Sequence, residues 1–77
     1  MSLANDLAEQ LAIDACKAAL ALDDESLPEQ IAQIVGASSP TTEELYRTAV
    51  RVIQAERRAR KALEEKIKTA QKAAPSK

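Results

Sequence analysis

Between Thr41 and Ala74 the chain contains neither glycine nor proline. Those are the two residues that most reliably end or kink a helix, so this stretch predicts one helix of about 30 residues, roughly 45 Å long at 1.5 Å per residue. In a chain of 77 residues that leaves only somewhat more than half for everything else. The first half must therefore fold against this one long element, and its own composition is also helical. Glycine occurs once and proline three times, and Ala, Leu, Glu, Gln, Lys and Arg make up most of the rest. We read no β-strand.

Helix boundaries can be placed from capping residues. The first helix is expected from about Ala4 to Leu22, with Ser2 or Asn5 as its cap and the acids Asp23, Asp24 and Glu25 at its end, where the helix dipole disfavours them. Ser26 and Glu29 have capping-box spacing, with Pro28 in the tolerated first turn, and open a second helix. Its apolar stripe is Leu27, Ile31, Ile34 and Val35, and Gly36 is expected to close it in a left-handed conformation. The third helix starts from Ser39 with Pro40 at its first position, or from Thr41 with Glu44 as capping partner. Glu43 and Arg47, Glu56 and Arg60, and Glu64 and Lys68 stand in the favourable order for pairing four residues apart. The chain is thus expected to be all-α: one three-helix antiparallel domain over residues 1–74, two shorter helices packed on one long C-terminal helix, with 75–77 a frayed tail.

The core of such a domain is thin. Of 35 hydrophobic residues 16 are alanine, and Tyr46 is the only aromatic. A chain of this length buries only ~60% of its unfolded surface, so a second copy is expected to supply what the core lacks, giving a homodimer and a larger bundle. On the first helix Leu7, Leu11, Ala15, Ala18 and Leu22 form the expected core stripe, flanked by Ala8, Ala12 and Ala19. Ile13 and Leu20, seven residues apart, project from nearly the opposite side and need another partner. On the third helix Leu45, Ala49, Val52, Ala59, Leu63, Ile67 and Ala70 share one broad face, widened by Tyr46 and Ile53. Glu56 interrupts it, either pairing with Arg60 or fixing register between two long helices. The expected oligomer contacts are Ile13, Leu20, Leu63, Ile67 and Ala70.

Charge is divided along the chain. Residues 1–44 carry nine acids and one base, a net −8, and residues 45–77 carry ten bases and three acids, a net +7. With no histidine there is no Ser-His or Cys-His pair and no zinc-type cluster, and one glycine supplies no phosphate-cradling loop. Cys16, on an alanine-rich helix, reads as a small buried hydrophobe and not a nucleophile. No enzyme activity and no cofactor are expected. No apolar run approaches the ~20 residues that span a bilayer, no signal sequence is evident, and one cysteine suits a reducing, cytoplasmic setting.

The segment from Pro28 to Leu45 offers an alternative. Ala32, Gly36 four residues later, the small Ala37 and Ser38, and Leu45 have the spacing of a repressor-type helix-turn-helix, which this segment resembles. That resemblance implies DNA contact through residues 28–51, with Arg47, Arg51, Arg57 and Arg58 as the bases facing phosphate. Thr42 stands where the pattern has an aliphatic residue, and Glu43-Glu44 would face phosphates with the wrong charge. Nucleic acid is therefore the disfavoured partner. The expected function is a non-enzymatic protein–protein interaction or regulatory module that associates with itself or with another protein.

Overall fold

The computed structural model describes residues 2–73, so the tail expected over 75–77 lies outside the described residues. Three helices follow one another: α1, Leu3–Leu22; α2, Leu27–Ser38; and α3, Pro40–Ala73. Among the described residues there is no strand, and the three-helix all-α fold is as the capping and breaker pattern requires. At 34 residues α3 is about 51 Å long. Glu29 and Gly36 of α2 meet Arg47 and Glu43 of α3, so α2 runs antiparallel to α3. Asn5, Glu9 and Ile13 line a recess with Leu45 to Ile53, and Cys16 to Asp23 line another with Gln54 to Lys61. Hence α1 runs parallel to α3, and the course is up, down, up.

The ends of the helices are set by local hydrogen bonds, not all of them the expected ones. Ser2 caps α1 by accepting from the Asn5 amide at 3.2 Å. At its other end the left-handed residue is Asp23 (φ 53°, ψ 46°), and the Asp24 amide donates back to the Ala19 carbonyl at 2.9 Å. Aspartate is one of the few residues that tolerates this conformation. The expectation of a left-handed cap at Gly36 is therefore corrected: Gly36 has no positive φ and lies within α2, which continues to Ser38. Its lack of a side chain serves packing instead. A Cβ at Gly36 would lie 2.7 Å from Cδ of Glu43, whose carboxylate occupies that space.

The capping box at Ser26 is also corrected. Glu29 points across to α3, and the Ser26 amide and hydroxyl both donate to Oδ1 of Asp24, at 3.0 and 2.7 Å. Asp24 thus organises the turn into α2. The passage from α2 to α3 is a single extended residue, Ser39, whose hydroxyl oxygen accepts from the Thr42 amide at 3.1 Å and caps α3. Of the three pairs expected along α3, Arg47 meets Glu43 and Arg60 meets Glu56, while Glu64 and Lys68 form no ion pair among the described residues.

The core is built around Tyr46. Its ring, 1% exposed, is surrounded by Ala8, Ala12, Ala15 and Ala32, with Ile31, Leu45, Ala49, Val50 and Ile53 at the edges. Its hydroxyl donates to the Pro28 carbonyl at 2.8 Å. Seating one large ring between three helices requires small residues opposite it, so α1 turns its alanine row inward. The expected leucine stripe on α1 is corrected accordingly: Leu7 and Leu22 are 59% and 68% exposed, and Leu11 lies at the rim. The same logic leaves Ile34 exposed while Pro28 and Ala32 are buried.

Candidate functional site

Tyr46, Val50, Ile53 and Arg57 face α1 and α2, being buried or half-buried. On a helix of 100° per residue that face lies roughly 110° from the row formed by Leu45, Ala49, Val52, Glu56, Ala59, Leu63, Ile67 and Ala70. This row repeats at spacings of four and three, the pattern of a helix that pairs with another helix. Its own fold leaves most of it uncovered: Val52 is 62% exposed, Leu63 53% and Ile67 49%. Ala59 and Ala70 are exposed as well. The recess between α1 and α3 reaches no further along α3 than Lys61, and every residue from Arg58 to Ala73 is exposed. About 18 Å of amphipathic helix projects from the body of the domain.

The sequence-predicted contacts divide between two places. Ile13 joins Leu45, Ala49, Val52 and Ile53 in a largely apolar groove of about 310 Å3 between α1 and α3, rimmed by Asn5, Glu9 and Thr48. Leu63, Ile67 and Ala70 continue the same α3 face on the projecting segment. Leu20, 67% exposed, lies apart from them, beside Arg57, Arg58 and Lys61. The groove residues Leu45, Ala49 and Val52 were legible only as an apolar face. The one signal that Tyr46 would take the core, leaving Leu45 and Ala49 at its edge and Val52 outside, was its being the lone aromatic in an alanine-rich chain.

The overall dimensions state the same thing in area. A radius of gyration of 16.9 Å compares with ~11.5 Å for a compact domain of this length. The chain exposes 6010 Å2, about 1,400 Å2 more than a compact monomer of its mass. An interface of standard size takes ~800 Å2 from each partner.

The four bases of the helix-turn-helix reading are placed differently from one another. Arg47 holds Glu29 in a two-point pair, Nη1 to Oε1 at 2.6 Å and Nη2 to Oε2 at 3.1 Å, while its Nε donates to Glu43 at 2.9 Å. Arg57 is half-buried and donates to the Cys16 carbonyl at 3.4 Å, and Arg51 and Arg58 are exposed. The turn holds one residue, with Gly36 inside the preceding helix.

The Glu29 to Arg47 pair joins residues 18 apart, which no local spacing indicates. The hydrogen bonds from Arg47, and then that from Gln33, hold the Glu29 carboxyl down at about 2. Its folded pKa is below the unfolded value, so its contribution to stability is full above about 4.5 and is lost as pH falls from there toward 2. Glu29 is half exposed, so water screens the pair. Melting temperature followed from pH 7 to pH 2 should show Glu29→Gln less stable than the unmodified chain at neutral pH, with the two curves converging in acid. Burial pushes the Cys16 thiol up, against a smaller opposing effect of Arg57, so the thiolate is disfavoured. Cys16 is 2% exposed, the small buried hydrophobe its position indicated.

No protein-family model, curated protein or solved structure matches this chain. Among the described residues no helix is long and apolar enough to cross a membrane.

Proposed function

We propose that this chain is a helical protein–protein interaction module that performs no catalysis and functions as a homodimer, its second copy covering the outward face of α3. The observation that carries this reading is the row from Leu45 to Ala70, spaced for helix pairing and left exposed by its own fold from Val52 onward. A thin core of alanines around one tyrosine supports it, since a small domain of this kind gains stability from a partner. The DNA-binding alternative loses Arg47 to its two glutamates and meets phosphate with Glu43 and Glu44 at the start of α3.

Thermal unfolding at several concentrations tests the proposal. When folding and association are one equilibrium, the midpoint depends on chain concentration, and a 100-fold increase is worth about 2.7 kcal/mol. The midpoint should rise by several degrees between 1 and 100 μM. A midpoint independent of concentration would contradict the homodimer.

A further inference from the structure

We infer that the two chains pair antiparallel, the projecting end of each α3 lying in the groove between α1 and α3 of the other; this rests on the homodimer proposed above and specifies its geometry. Along α3 the outward apolar surface consists of a groove at one end and a projecting helix at the other. Ile13, Leu45, Ala49 and Val52 line the first, and Leu63, Ile67 and Ala70 form the second. A single two-fold axis near residues 57 and 58 lets each fill what the other leaves open. Leu45 then faces Ala70 of the partner subunit, Val52 faces Leu63 of the partner subunit, and Glu56 faces Ala59 of the partner subunit.

Charge favours this orientation over the parallel one. Parallel chains would set Glu56 against its own copy and the basic run from Arg57 to Lys61 against itself. In the antiparallel pair Arg57 and Arg58 still meet their copies at the axis, but Glu56 faces Ala59 of the partner subunit and not its own copy, and the basic end of each α3 is carried toward the acidic start of the other chain. Lys66 then crosses the small Ala49 with its charge directed at Glu9, which rims the same groove. Glu56, already 2.6 Å from Arg60 of its own chain, lies beside the axis, where Arg60 of the partner subunit is within one residue. The chain exposes about 1,400 Å2 more than a compact monomer of its mass, above the ~800 Å2 that a standard interface takes from each partner.

Disulfide trapping distinguishes the orientations. In chains carrying Cys16→Ala, so that no other thiol is present, Val52→Cys chains are mixed with Leu63→Cys chains, oxidised, and weighed by mass spectrometry beside light scattering of the unoxidised mixture. The antiparallel register predicts that mixed disulfides exceed either like-with-like product at least tenfold. Efficient linkage of Val52→Cys to its own kind would overturn the orientation while leaving the dimer. A dimer with neither linkage would overturn the register. A monomer by light scattering would overturn the homodimer, and the orientation with it.

Discussion

Tyr46→Ala should leave the chain largely unfolded at 25 °C, seen as loss of the helical circular dichroism signal. Truncating a fully buried aromatic costs about 3–5 kcal/mol. A domain of this size has about 4–12 kcal/mol in all, and this one sits at the low end because its core is mostly alanine. The fully buried members of the cluster around Tyr46 are Ala8, Ala12, Ala15 and Ala32, which have no rotamers with which to fill the space the ring leaves. Tyr46→Phe separates ring from hydroxyl. It removes only the bond to the Pro28 carbonyl and should cost about 0.5–1.5 kcal/mol in chemical denaturation, the net value of one such bond. If the alanine variant melted like the parent, the core would not be organised around this ring.

The paired substitution Leu63→Glu with Ile67→Glu should give the opposite profile, a chain that keeps its core and loses its partner. Both side chains are about half exposed in the single chain, and glutamate is a good helix former, so α1, α2 and the first half of α3 should be unaffected. In the dimer each would forfeit an apolar burial worth about 1.5–3 kcal/mol and place a carboxylate against the Glu9 side of the groove. Together these losses weaken association by roughly 10²–10⁴-fold. The expected result at tens of micromolar is a folded monomer by light scattering, with some helicity lost where α3 no longer has a partner. An unchanged dimer would remove Leu63 and Ile67 from the interface.

The helices were legible in the sequence because their signals are local. The absence of breakers after Pro40, the serines that cap α1 and α3 and the acidic close of α1 all act within a turn or two of where they stand. Which face turns inward was less legible, because it is decided across the fold. Leu7, Leu11 and Leu22 form the more hydrophobic stripe of α1, yet the alanine row wins because one tyrosine arrives from α3 and needs room. The lone aromatic in a chain with 16 alanines was the available clue. Gly36 illustrates the same limit: its sequence context is that of a helix end, and its role is to admit the Glu43 side chain from another helix. At the candidate site, the projecting Leu63 to Ala70 segment followed from helix lengths alone. The groove did not, since Ile13 and Val52 are 39 positions apart and meet only through the up, down, up course.

The pairing of two chains through the outer face of α3 is tested most directly by sedimentation equilibrium on the unmodified protein at tens of micromolar. The mass predicted is twice that of the 8.3 kDa chain, falling toward one chain on dilution. A single species of one chain mass across that range would contradict it.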